Sequence, residues 1–556
     1  MSFLPSAASE GECDEAKPQC GNCVKRKQQC PGYRDLLDAY FKDETSTISS
    51  SSRIPNRRRS SPDSAQESPS QVPETAEPLR PWSPLLALRK YEEGPAILLQ
   101  PSRDVEYGSL CFFVSNYINT PRDPTTNIFV EHILPLYLSA PASSALSQAV
   151  TAVAIHVAQM WMPRFADSSA SREAYLNAVS LVKTALQDSV ESRTDDTLAA
   201  VYMLDFYDSL NRRFIDFVDT GTHQQGGVAL LRHRGPSNFN TPLSQRLFLA
   251  LRGRHINYCL EVGCRVQLDA ELLDERPAIL PSAKLDLLKA ELTAVNILAR
   301  DGPEMAGMSL VEFHQTVISR ALSIGRKLDA WTKSLPESWR PVAVPASELH
   351  PSIQAAGLYN NMCDVYSSLA ISHTHNTARS VHVGALRLIA LCSNELECLG
   401  VDVDPELGAY IEKQIQEIAD RFCASVPFHL GNRTTLTLPH EPMEYPHIPV
   451  ELRKMAGYVD SFGTPVEMTM GDHARAAAAI GGLFLLTPLR GLMQAPYARF
   501  TASSPRPLLK KLRKGQAEWI QGQRQRVRKI YLWPSSMVSG PSTVVRAYKA
   551  ERRILF

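Results

Sequence analysis

The chain has 556 residues, 44% hydrophobic and 21% charged, with a formal net charge of only +1. That length exceeds one core and predicts at least two globular units. Near-neutrality excludes a general attraction to nucleic acid, so any such attraction has to be local. Eleven cysteines, an odd number without a secreted-type framework, point to a reducing compartment. Met1-Ser-Phe-Leu-Pro has neither a charged start nor an apolar core segment, so no signal peptide is expected. No apolar run reaches the length of a membrane span; the nearest, Ala476 to Leu486, reads as a buried helix ending at Pro488.

In chain order, the first informative stretch carries Cys13, Cys20, Cys23 and Cys30 at C-x6-C-x2-C-x6-C spacing. Thiolates are soft ligands, and four of them suit a tetrahedral Zn2+. Between residues 13 and 34, Lys17, Lys25, Arg26, Lys27 and Arg34 stand against Asp14 and Glu15, a net of +3. A basic metal knot of this kind reads as a nucleic-acid module.

This run resembles the second part of the fungal zinc binuclear cluster, a DNA-binding domain in which six cysteines hold two zinc ions. The Cys-Asp-Glu-x-x-Pro-x-Cys-x-Asn-Cys-x-Lys-Arg core and the Pro-Gly-Tyr tail carry the likeness. The family pattern opens with a further C-x2-C, whose ligands would fall where this chain has Phe3 and Ser6. The base-approaching helix of the family is basic, whereas Ala7, Ala8, Ser9, Glu10, Gly11 and Glu12 are neutral or acidic. By family position Cys20 is the surviving bridging ligand. Four cysteines can close one tetrahedral site or stay unstructured. Two explanations compete: a start or exon choice that omits half the cluster, or loss of DNA binding. The abrupt change to matching sequence at Cys13 favours the first.

Residues 1–42 therefore form a partial DNA-binding segment. Residues 43–84 form a Ser/Pro-rich linker, expected to be disordered because its composition cannot offset its ordering entropy. Within it Arg57, Arg58 and Arg59 are a candidate nuclear import signal, or a solvated charge run in a tether.

From residue 85 to 533 the reading is all-α. Tyr107–Tyr117, Phe129–Tyr137, Leu146–Trp161, Tyr175–Leu186 and Leu198–Phe217 space apolar residues by three and four. Ser171 and Asp195 are candidate caps, and Pro121, Pro141, Pro163 and Pro236 sit in the breaks. The span is similar to the fungal-specific transcription factor domain. The likeness rests on Thr222-His-Gln-Gln-Gly-Gly-Val-Ala-Leu-Leu-Arg-His-Arg-Gly235, on Leu328-Asp-Ala-Trp-Thr-Lys-Ser-Leu-Pro336 and on Ala424-Ser-Val-Pro-Phe-His-Leu-Gly431. A helix from Tyr359 to Asn376 and another to Leu399 add to it. The resemblance implies a helical regulatory domain for self-association, effector response or activation, without catalysis.

His373, His375 and His382 lack a carboxylate at helical spacing, and surface histidines explain them better than a metal. His223 before Gly226-Gly227 is either a base near an anion-binding helix start or, the better reading, a packed residue where glycines permit a close crossing. Lys510, Lys511, Arg513, Lys514, Arg524, Arg526, Arg528 and Lys529 interleave with Leu508, Leu512, Trp519, Val527 and Ile530. That pattern predicts an amphipathic terminal helix packing its apolar stripe, with import or a phosphate-facing surface as alternatives. Residues 534–556 form a tail.

The expected function is a nuclear, sequence-specific regulator of RNA polymerase II genes, with a metabolic or secondary-metabolite gene cluster as its target. Zinc is the expected cofactor. Promoter DNA, a second copy of the chain and the transcription machinery are the expected partners, with no membrane. Two alternatives stand beside it: a DNA-binding-deficient partner of a full-length relative, and a helical enzyme.

Overall fold

A computed structural model describes residues 105–161, 168–215, 221–269, 272–273, 280–435, 437, 441–493 and 512–531, all within the unit Pro78–Phe556. The fold is all-α, with one two-stranded sheet. Helices α1 (Val105–Phe113), α2 (Ile133–Ser139), α3 (Ala145–Trp161), α4 (Ser168–Ala185), α5 (Asp195–Ile215), α6 (Thr222–Arg234) and α7 (Pro242–Val262) come first. After α8 (Pro281–Ala306) and α9 (Leu310–Lys333), β1 (Val342–Pro345) and β2 (Met362–Val365) flank the short α10 (Pro351–Gly357). Then follow α11 (Leu369–Cys398), α12 (Pro405–Leu430), α13 (Val450–Ala456), α14 (Met470–Ala476), α15 (Gly482–Met493) and α16 (Gln516–Tyr531). None of the described helices is long and apolar enough to cross a membrane.

Two apolar clusters form the interior. One is built mainly by α1 and α3–α7 and receives Phe422 and Val426 of α12 and Ile520, Val527 and Ile530 of α16. The other joins α8, α9, the sheet, α11 and the first half of α12. Helix α9 shows how sequence produces this. Ser309 caps it by accepting from the Glu312 N–H. Phe313, Val317, Ala321, Ile324, Leu328 and Trp331 then recur every three or four residues, and all six are buried. Each large member contributes about 1.5–3 kcal/mol by leaving water.

Several local expectations are corrected. No helix starts at Tyr359: Asn360 and Asn361 take left-handed backbone (φ 52° and 55°), which asparagine tolerates, and turn the chain into β2. The antiparallel register runs from Val342 opposite Val365 to Pro345 opposite Met362. Helix α11 begins after Ser368, whose side chain accepts from the Ile371 N–H, and runs unbroken to Cys398. Ser171 is no cap; it lies inside α4, buried, with its hydroxyl on the Ala152 carbonyl and Tyr207. Thr194 caps α5 through the Thr197 N–H, leaving Asp195 to pair with Arg234. Pro488 does not end the apolar run at Ala476; a π-turn at Ala477–Gly481 feeds α15, which passes through Pro488 to Met493. Pro121 and Pro141 do lie between helices, Pro236 opens a short 3-10 turn (Pro236–Asn238) between α6 and α7, and Pro163 falls outside the described residues.

Candidate functional site

The zinc-ligand candidates Cys13, Cys20, Cys23 and Cys30 lie outside the described residues. So do the DNA-contact candidates Lys17, Lys25, Arg26, Lys27 and Arg34 and the import candidates Arg57, Arg58 and Arg59. The other sequence candidates are placed. His373 stacks on Phe484 at 4.3 Å between ring centres. His375 meets the Trp339 carbonyl at 2.9 Å, and burial pushes it down to about 3. His382 sits beside Gly325. The three imidazoles do not converge, and no group of three potential metal ligands occurs among the described residues. His223 contacts the Tyr175 hydroxyl (2.9 Å) and Asp208 (3.5 Å), as a packed residue would. A Cβ on Gly227 would press on Leu251 at 3.0 Å, so this glycine serves the crossing of α6 and α7, whereas Gly226 faces open space.

The terminal helix α16 buries Ile520, Val527 and Ile530, as its stripe predicts. Its basic face is less solvated than expected. Arg526 is buried and donates from Nε to the Arg433 carbonyl (2.6 Å) and from Nη2 to the Gly431 carbonyl (2.7 Å). Arg513 pairs with Asp420 at 2.9 Å. Lys510, Lys511 and Leu508 lie outside the described residues.

The most distinctive polar site was not singled out from sequence. It is a cavity of about 30 Å3 walled by the segment after α1, the start of α11, Met468, α14 and the π-turn before α15. Arg122, Asp123, Glu131 and His473 line it, and each is at least nine-tenths buried. Two π-turns, Val114–Ile118 and Ala477–Gly481, lead into its walls. Widened turns of this kind re-aim side chains and often mark functional positions.

The framework around the cavity is rigidly tied. Arg122 exchanges both backbone hydrogen bonds with Val459 (3.0 and 2.9 Å) and donates from Nη1 to His132 Nε2 at 3.0 Å. Arg246 donates to the Thr126 carbonyl (2.7 Å) and the Pro124 carbonyl (2.6 Å). Asp123 Oδ1 accepts from the Thr125 N–H at 2.8 Å and from the Thr125 hydroxyl, and that hydroxyl accepts from Trp339 Nε1 at 2.8 Å. His473 stacks on Phe428 at 4.3 Å and hydrogen-bonds the Phe428 backbone.

Burial dominates the electrostatics here. It raises the Glu131 carboxyl to about 7 against the pull of Arg122 and Arg246, and it raises Asp123 against its bonds to Thr125. It also holds His132 well below the ordinary imidazole value, reinforced by Arg122 and Arg246, and lowers His473 to about 4. Both imidazoles are therefore neutral at pH 7. Four buried atoms in these walls have no hydrogen-bond partner in the protein: Arg122 Nε, Asp123 Oδ2, Glu131 Oε2 and His473 Nε2. Glu131-His132 interrupting the apolar run Ile128 to Leu136 was the available sequence signal. It passes for helix amphipathicity unless the partners are known.

No family model, curated protein or solved structure matches the chain.

Proposed function

We propose that this chain is a nuclear, sequence-specific regulator of RNA polymerase II transcription, of the fungal zinc-cluster type. The single observation carrying this reading is the C-x6-C-x2-C-x6-C run with its basic interval. Four thiolates at these spacings suit one tetrahedral zinc, which would fold the segment and aim Lys25, Arg26 and Lys27 at phosphates. An all-α body behind such a segment fits the regulatory role that the resemblance implies. Phe3 and Ser6, in place of two cysteines, favour a second reading: a DNA-binding-deficient partner that titrates a complete relative.

Zinc analysis and a binding competition separate the two. Residues 1–45 are expected to hold fewer than two zinc ions, and two tightly held ions would overturn the single-site assignment. Competition between promoter fragments and random duplex at matched salt reads sequence choice. Preference for particular sites supports the regulator; salt-steep, indifferent binding supports the titrating partner. Turnover of a small molecule would instead favour a helical enzyme.

A further inference from the structure

We infer that Cys259 and Cys264 form a reversible oxidation site, a thiol pair that a hydroperoxide closes to a disulfide across the end of α7. The way that helix stops creates the pair. Gly263 takes left-handed backbone (φ 75°), and the N–H groups of Gly263 and Cys264 both reach back to the Cys259 carbonyl, at 2.8 and 3.1 Å. The bond from Cys264 folds the chain back over the last turn, and in such a cap the side chains of the two bonded residues meet. In this chain both are cysteine. Of the seven cysteines among the described residues, all free, these two have thiols in contact. A disulfide needs neighbouring Cα atoms and converging Cβ vectors, and the cap supplies that approach.

The two thiols are unequally placed. Cys264 is partly exposed, whereas Cys259 is fully buried, so Cys264 is the one that meets the oxidant. Burial, with the Cys264 thiol beside it, also pushes Cys259 up to about 12. The Cys264 thiolate attacks one hydroperoxide oxygen and the O–O bond breaks. A sulfenic acid stays on Cys264, and the other oxygen leaves with the thiol's proton as an alcohol, or as water from hydrogen peroxide. The Cys259 sulfur then attacks the Cys264 sulfur, and the S–O bond breaks. His255 is placed to relay the Cys259 proton to the departing hydroxide, which leaves as water. Its Nε2 lies 3.5 Å from Cys259 Sγ and accepts from the Gln267 N–H at 3.3 Å, which puts the ring proton on Nδ1. Burial and Arg232 hold this imidazole below its ordinary value, so it is neutral at pH 7 and open to a proton. In total the two thiols lose two hydrogens and the hydroperoxide is reduced to an alcohol and a water. In a reducing compartment such a disulfide is transient. Neither the zinc-cluster reading nor its failure affects this pair.

The test treats the full chain with hydrogen peroxide, blocks remaining thiols with an alkylator under denaturant, and digests with trypsin. Cleavage after Arg254 and Arg265 leaves both cysteines on one peptide, so closure reads directly as its loss of two hydrogens and of both alkyl groups. The folded chain should close this pair at least ~tenfold faster than the urea-unfolded chain, because the cap holds the thiols together. Dithiothreitol should restore both thiols. Cys259→Ser should stop at a sulfenic acid on Cys264, captured by dimedone, while Cys264→Ser should leave Cys259 a thiol. His255→Gln, with helical circular dichroism retained, should slow closure at least ~tenfold and raise dimedone capture at Cys264. A peptide that keeps both thiols, or closure no faster in the folded than in the unfolded chain, would overturn the inference. Dimedone on Cys259 of the Cys264→Ser protein would overturn the order of attack, and unchanged closure in folded His255→Gln would overturn the relay.

Discussion

Replacing Glu131 by glutamine should change how stability depends on pH more than it changes stability itself. Glu131 is buried, and desolvation raises its carboxyl from 4.5 to about 7 despite Arg122 and Arg246. In the unfolded chain the same group ionises near its ordinary value. Between pH 4.5 and 7 the folded state therefore holds a proton that the unfolded state has released, and stability falls as pH rises through this window. Above pH 7 the accumulated cost is about 3 kcal/mol. Glutamine cannot ionise and keeps the shape, so Glu131→Gln should lie within about 1 kcal/mol of the wild type near pH 5. By pH 8 it should have gained up to about 3 kcal/mol relative to it. Denaturant unfolding of both proteins at half-unit steps from pH 5 to 8 reads this directly, and subtraction cancels Asp123 and the buried histidines. His156, His375, His429 and His473 act in the opposite sense: burial depresses them, so their contribution is lost as pH falls below about 6.5. A wild-type-minus-variant difference that stays flat across the range would refute the assignment of a neutral, buried Glu131.

Further outcomes follow from packing. A Cβ on Gly481 would collide with the His429 backbone carbonyl, where His429 Nδ1 and the Gly481 carbonyl meet at 3.1 Å, so Gly481→Ala should cost more than ~3 kcal/mol. Gly408→Ala, on the open face of α12, should instead stabilise by about 0.5–1 kcal/mol, and unfolding of the two variants side by side checks the contrast. At pH 8 a thiol alkylator followed by mass spectrometry should modify exposed Cys398 well before Cys363, Cys392 and Cys423, which are buried and pushed up by burial; equal rates would contradict the packing. Removing residues 1–84 should leave helical circular dichroism and cooperative melting intact, because the described core draws only on residues from Leu110 onward.

The helical class was legible in the sequence because each helix states its own buried face. Phe313 to Trp331 in α9 and the Ile520, Val527, Ile530 stripe of α16 repeat every three or four residues, and that period needs no knowledge of the partner. The cysteine spacing is equally local, and the zinc and DNA expectations rest on it. The burial of Arg526 was hidden, because its acceptors are carbonyls of Gly431 and Arg433, more than ninety residues away. The same holds for the start of α11: apolar residues from Tyr359 suit a helix, but pairing with Val342–Pro345 claims Met362–Val365 for a strand. The polar cavity is the clearest case. Arg122, Asp123 and Glu131 lie over three hundred residues from His473, and each alone reads as an ordinary surface side chain. Only the packing of α11, α14 and a π-turn against the segment after α1 buries them together, and burial, not residue type, gives the group its shifted carboxyl and its unpartnered atoms.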